Sequence, residues 1–342
     1  MNPIKDIKVS LPDYYAVMIN KQLSRCQISS MMKAENSNDE ESLWKEHENL
    51  RREFGHIYQK QSSIKELKPS FSYLDLKMKI AELMFQCCQI CEKACKIDRS
   101  HEKGECGVND PLIASEFLHL GEEFPLVPSH TIFFSGCNFR CVYCQNWDIS
   151  QQPSMGINLS EKKLAELIDK RRVEGSRNVN FVGGDPTPNL PYILRTMHLV
   201  KENIPVVWNS NMYLSSEAIK LLDGFTDLYL TDFKYGNNQC AFRLSGVSNY
   251  MEIVGRNHMI AWQAGDMIIR HLILPNHVEC CSKPLLRWID ENIGNEVVIN
   301  IMGQYHPVHL AKRHPDISRL PLNRELSEVL HYAKDLGFIN LI

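Results

Sequence analysis

From Leu43 onward the apolar stripe Leu43, His47, Leu50, Phe54 and Ile57 recurs every three or four residues with charges between, the period of an amphipathic helix. Asn38 or Asp39 stands where its N-cap belongs. A second stripe, Leu76, Ile80, Leu83 and Cys87, predicts another helix. Both are expected to pack on the main domain rather than to serve a dedicated partner. Residues 1–37 carry no clear period, and 88–128, with their cysteines, glycines and prolines, read as irregular. Beyond them the pattern alternates. Short apolar runs at Thr131–Ser135, Val179–Val182, Pro205–Asn209, Leu228–Phe233, Met267–Leu274 and Val297–Met302 are strand candidates. Helical stretches lie between them, such as Glu161–Glu174, Tyr192–Asn203, Ser215–Leu222 and Lys283–Ile293, and Arg324–Leu336 forms a last helix.

Six β-then-α units of this spacing predict an α/β fold with a parallel sheet and right-handed crossovers, either open or curved into a partial (β/α)6 barrel. The expected divisions are a helical extension over 1–86, a cysteine-rich segment over 87–128 and the core domain over 129–342. In barrel enzymes the chemistry sits at the C-terminal ends of the strands. There is no internal repeat and no low-complexity segment.

Composition narrows the class. The chain has 342 residues, 44% apolar, with 38 basic and 41 acidic side chains and a formal charge of −3, so a general nucleic-acid-binding surface is not indicated. No uncharged apolar run approaches the roughly 18 residues of a membrane helix. Met1–Tyr15 lacks the basic-then-apolar layout of a signal peptide. A cytoplasmic protein is expected. In a reducing cytosol its twelve cysteines point to metal or catalytic roles, and eight of them crowd between Cys87 and Cys144.

The first strand candidate runs into Ser135-Gly136-Cys137-Asn138-Phe139-Arg140-Cys141-Val142-Tyr143-Cys144. Thiolates are soft ligands that suit iron–sulfur clusters, and three on one loop can wrap three corners of a cubane. A fourth cysteine is absent from the loop, which leaves the fourth iron open to a small molecule, as in catalytic metal sites. A zinc knuckle or three buried thiols are the bland alternatives. After the second strand, Gly183-Gly184-Asp185 offers a close backbone approach and a carboxylate that can accept from an ammonium group; alone it would be a turn. Asn209 and Asn211, ending the third strand, could bond ribose hydroxyls or a carboxylate, or make a polar turn.

The cysteine loop resembles that of the radical S-adenosylmethionine (SAM) superfamily, and the run Cys144–Gln151 is similar to a branch related to pyruvate formate-lyase activating enzyme. The resemblance covers about residues 85–310. It implies a radical SAM barrel, a [4Fe–4S] cluster on Cys137, Cys141 and Cys144, and SAM chelated to the unique iron. It further implies reductive cleavage of SAM to methionine and a 5′-deoxyadenosyl radical that takes hydrogen from a substrate. By the same resemblance Tyr143 packs near the adenine and Asp185, where the family usually has Glu, meets the SAM amine. Asp232 and Lys234 match the activating enzymes' Asp-Leu-Lys segment, and Arg270 and His306 point towards SAM. Against these stand an ordinary core tyrosine, a surface ion pair and a structural histidine.

Upstream, Cys88-x2-Cys91-x3-Cys95-x10-Cys106 is a complete four-thiol set with Cys87 as a spare. It suits a zinc tetrahedron or a second [4Fe–4S] cluster equally. Many glycyl-radical activating enzymes carry extra clusters after the main motif instead. The expected partners are SAM, an electron donor such as flavodoxin or ferredoxin, and a protein substrate. Radical modification of a side chain or small molecule is the alternative activity, and a non-catalytic iron–sulfur electron-transfer protein the alternative class.

Overall fold

Seven strands form one sheet in the order in which they occur along the chain: β1 (Ile113–His119), β2 (Ser129–Phe134), β3 (Asn178–Gly183), β4 (Val206–Ser210), β5 (Leu228–Asp232), β6 (Asp266–Leu272) and β7 (Val298–Met302). The computed structural model describes residues 7–60 and 69–342. β2 to β7 are parallel, and β1 runs antiparallel along β2. Sequential order without a switch point is the topology of a singly wound, partial (β/α)6 barrel.

The helices are α1 (Ile7–Ser10), α2 (Pro12–Met18), α3 (Arg25–Met31), α4 (Glu40–Gln59), α5 (Tyr73–Gln86), α6 (Trp147–Ser150), α7 (Glu161–Val173), α8 (Leu190–Leu199), α9 (Ser216–Leu222), α10 (Asn238–Ser245), α11 (Tyr250–Ala264), α12 (Lys283–Asn292) and α13 (Asn323–Asp335). Polar caps set their starts. Asp39 accepts from the Ser42 amide at 2.9 Å, and Ser72 and Asp75 form a reciprocal capping box at the head of α5.

Period-two alternation sends the two faces of the sheet into different cores. Val206, Trp208, Tyr229, Met267, Ile269 and Ile299 pack outward with the helices. Val207, Leu228, Leu230, Ile268 and Val298 face inward and meet Leu11 and Tyr14 of the N-terminal segment. Asp266 accepts from the Tyr14 amide at 2.8 Å, and the Asn178 amide donates to its hydroxyl at 2.8 Å. The start of the described chain therefore plugs the N-terminal mouth of the barrel and leaves the other end for chemistry.

Two expectations need correction. The reading of residues 1–37 as aperiodic missed α1 to α3, because each is two turns or less and offers too few apolar positions to set a period; residues 1–6 lie outside the described residues. Residues 88–128, read as irregular, contain β1. It is an edge strand with only one neighbour, and Phe117 is 40% exposed, so it lacks the continuous apolar run of the inner strands.

Candidate active site

The cysteine loop leaves the C-terminal end of β2 through a backbone that only glycine permits. Gly136 has φ +89°, and a Cβ there would stand 2.1 Å from the Val108 side chain. Gly183 has φ +124°, and its Cβ would lie 2.2 Å from the backbone N and O of Phe134. The glycine pair thus brings the ends of β2 and β3 together, with the Asp185 amide donating to the Gly136 carbonyl at 3.0 Å.

Each thiol of the loop has a donor beside it. Cys137 Sγ accepts from the Phe139 amide at 3.3 Å and from the Asn211 side chain at 3.7 Å. Cys141 Sγ lies 2.9 Å from Ser245 Oγ, and Cys144 Sγ lies 3.3 Å from Ser150 Oγ. The Ser245 contact ends a chain of hydroxyls: Tyr143 and Tyr235 at 2.7 Å, then Tyr235 and Ser245 at 2.6 Å. Burial raises the Cys137 thiol well above its usual range and Cys141 to about 11, with Lys234 and Ser245 countering at Cys141. Buried thiols with donors ready for their charged form are suited to losing their protons to a metal.

Asp185 is 2% exposed, and its carboxylate accepts from the Thr187 amide at 2.9 Å, the Asn211 amide at 2.9 Å and Ser210 Oγ at 3.1 Å. Burial lifts its pKa against the pull of these donors. Asn211 spans Asn138 Oδ1, at 2.8 Å, and the Cys137 sulfur.

Inside the barrel a charged layer crosses the sheet. Arg270 Nε donates to Asp232 Oδ1 at 2.9 Å, Lys234 Nζ to Asp232 Oδ2 at 2.7 Å, and Arg270 also bonds Asn209 Oδ1. Burial alone would raise the Asp232 carboxyl, but Arg270 and Lys234 bring it to about 2. Asn209 Nδ2 is buried without a partner among the described residues. His306 stands apart: it is exposed, with its ring nitrogen near its neighbour's carbonyl.

A family model, described as the radical SAM superfamily, matches residues 131–272, from β2 through β6. An uncharacterized protein of Methanocaldococcus jannaschii is 50% identical over 274 residues, 78% of this chain and 80% of its own. The chain belongs to the radical SAM superfamily. Pyruvate formate-lyase-activating enzyme of Staphylococcus aureus is 26% identical over 43% of this chain and 62% of its own. Among solved structures, Streptococcus suis SuiB bound to its precursor peptide SuiA has TM-score 0.45 and 14% identity, over 86% of this chain and 60% of that one. The family implies a [4Fe–4S] cluster and SAM. Among the described residues no helix is long and apolar enough to cross a membrane.

The upstream cysteines adjoin this loop. Arg99 is buried with its Nη1 3.6 Å from Cys88 Sγ, and the Glu105 amide donates to Cys95 Sγ at 3.4 Å. A Cβ at Gly104 would lie 3.3 Å from Cys106 Sγ, 3.4 Å from Arg99 Nη1 and 3.5 Å from Cys95 Sγ. Arg99 Nε and Nη2 have no hydrogen-bond partner among the described residues. A buried guanidinium with idle donors among thiols fits a site whose ligand set is anionic.

Sequence reasoning did not select Tyr235, Ser245 or Ser150, nor the acidic pair Glu122 and Glu123. Glu122 reaches into the barrel, with Oε2 3.7 Å from Arg270 and Oε1 accepting from Asn180 at 3.2 Å. Glu123 accepts from Asn300 at 2.9 Å. Tyr235 directly follows Asp232-Phe233-Lys234, so extending that motif by one residue would have found it. The two serines carry no spacing signal.

Proposed function

We propose that this chain cleaves SAM reductively and uses the resulting radical to abstract hydrogen from a protein substrate. The observation that supports it best is the set of three loop thiols at the end of β2, Cys137 and Cys141 buried and Cys144 half-buried, each with an amide or hydroxyl group beside its sulfur. Cys137, Cys141 and Cys144 would hold a [4Fe–4S] cluster. When bound, the cluster and SAM supply the electron transfer and carbon–sulfur cleavage. The chain's own residues bind, orient and exclude water. Lys234 sets a positive charge near Cys141, where the SAM carboxylate would be neutralised, while Asp232 and Arg270 fix the lysine in place. Asp185 would serve the SAM amine with the accepting capacity its three donors leave. Gly183 and Gly184 keep the backbone clear beside it, and Tyr143, Asn209 and Asn211 would form the nucleoside walls. An external one-electron donor of the flavodoxin or ferredoxin kind would serve the cluster.

Cys88, Cys91, Cys95 and Cys106 would hold a second metal group, either zinc or a [4Fe–4S] cluster, with Arg99 donating to its thiolates. The protein substrate rests on the likeness to an activating enzyme, whose name specifies a protein target. The test is anaerobic reconstitution with iron, sulfide and a reductant, followed by quantification of 5′-deoxyadenosine. Production from SAM by the wild type, absent in Cys141→Ala, is expected. Equal yields would overturn the proposal.

A further inference from the structure

A third group of metal-ligating side chains lies away from both cysteine loops, on the segments that follow β5 and β6. Cys240 sits in the first turn of α10. His277 precedes a π turn (Val278–Ser282) that holds Cys280 and Cys281. Cys240 Sγ, Cys280 Sγ and a ring nitrogen of His277 all lie within 4.8 Å of one another. The two sulfurs are 4.0 Å apart. Tetrahedral zinc with bonds of about 2.3 Å places two thiolates roughly 3.8 Å from each other. The three donors therefore already stand in one coordination sphere.

We propose that Cys240, His277 and Cys280 bind a zinc ion. His277 Nδ1 lies 2.8 Å from the Pro275 carbonyl, and donating its proton there leaves Nε2 with the free lone pair. Arg243 now occupies that lone pair at 3.1 Å. Both terminal nitrogens of Arg243 already donate to Asp316, one of them at 3.1 Å, so the guanidinium keeps a partner when the metal takes that lone pair. Around the sulfurs, Asn237 Nδ2 lies 3.4 Å from Cys240 Sγ and 3.6 Å from Cys281 Sγ, a donor for thiolate charge. Binding releases one proton from each of the two thiols, and no oxidant or reductant is required. The fourth position is open to water or to Cys281, whose sulfur is 3.9 Å from that of Cys280. Cys280 is exposed and gives the ion a route in, while Cys240 and His277 are buried.

The ion would tie α10 to the π turn. The far end of α10 supports the catalytic loop: the Arg140 amide donates to the Ser245 carbonyl and the Val142 amide to the Leu244 carbonyl, both at 2.9 Å. A zinc here would therefore brace the wall against which Cys141 rests. Nothing in this depends on whether SAM is cleaved.

The test uses full-length protein purified without oxygen, incubated with zinc and desalted. Zinc and iron are then measured in the wild type, Cys280→Ser and His277→Gln. Both variants should hold one zinc per chain fewer than the wild type, with iron unchanged; the upstream thiols are intact in all three and cancel. In the wild type, zinc should also slow iodoacetamide alkylation of Cys280, read on its own peptide, by roughly tenfold. That second reading needs no variant to fold. Equal zinc in all three proteins, an unchanged alkylation rate, or a Cys240–Cys280 disulfide in the wild type's intact mass would each overturn the site.

Discussion

The amide of Cys137 donates to the carbonyl of Cys106 at 3.3 Å. One backbone hydrogen bond thus links the first cysteine of the catalytic loop to the last of the upstream set. The two sets are neighbours, and the proposed ligand sets have no residue in common. Replacing Cys137, Cys141 and Cys144 together by alanine should therefore empty the catalytic site and spare the upstream one, since the linking bond is between main chains. The triple variant, purified without oxygen, should retain either zinc or iron with sulfide, read by elemental analysis and absorption. Arg99→Leu should lower that retained metal, because its guanidinium lies among these thiols, 3.6 Å from Cys88 Sγ. A well-folded triple variant holding neither metal would make the upstream thiols structural.

Ser245 Oγ lies 2.9 Å from Cys141 Sγ at the end of the Tyr143–Tyr235–Ser245 chain, and once the thiol has lost its proton the hydroxyl can only donate to that sulfur. Hydrogen bonds to ligand sulfur stabilise the more negative, reduced cluster and raise its potential. Ser245→Ala should therefore make the reconstituted cluster harder to reduce, with its iron content unchanged. A redox titration followed by electron paramagnetic resonance reads the shift. A midpoint equal to the wild type's would reduce Ser245 to a packing residue.

What the sequence made legible follows from how local each signal is. The six parallel strands are largely buried on both faces and rich in apolar residues, so their runs stood out within a few residues of their true bounds. Asp39 capped its helix because capping is decided within one turn. The Cys137–Cys141–Cys144 spacing was equally local. The thiol partners were not legible: Ser245 lies 104 residues from Cys141, and Asn211 lies 74 from Cys137. Those meetings are set by the barrel, not by neighbours in sequence. The Cys240–His277–Cys280 group was overlooked for the same reason, since Cys240 sits on a helix and Cys280 on a π turn 40 residues further on.

Gly183→Ala tests how closely the ends of β2 and β3 approach. The added methyl would meet main-chain atoms of Phe134 at 2.2 Å, and main chain inside a sheet cannot step aside as a flexible side chain can. Overpacking with an unfavourable φ should cost on the order of 3 kcal/mol. A chemical-denaturation midpoint well below the wild type's is expected, together with poor cluster incorporation. Gly175→Ala is the control: it also has positive φ, at +101°, but nothing lies within 4 Å of its Cβ. It should lose less stability than Gly183→Ala.

Lys77 of α5 is fully buried, with Nζ 2.6 Å from the Asp223 carbonyl, 3.2 Å from His47 Nε2 and 4.0 Å from the centroid of the Tyr73 ring. Burial lowers its pKa from the ordinary lysine range to about 7, against the pull of Asp223. The unfolded chain keeps its proton to about pH 10.4, so between these values it binds more protons than the folded chain does. Folding is then favoured increasingly as pH rises from 7 towards 10, by at most about 1.4 kcal/mol per pH unit from this group. Below pH 7 both states are protonated and the slope from Lys77 vanishes. Lys77→Met keeps the volume and removes the titration. The stability of the wild type relative to Lys77→Met should therefore rise between pH 7 and pH 9, measured by denaturant unfolding at each pH. Parallel curves for the two proteins over that range would mean that Lys77 stays charged in the fold, held by the Asp223 carbonyl and the Tyr73 ring.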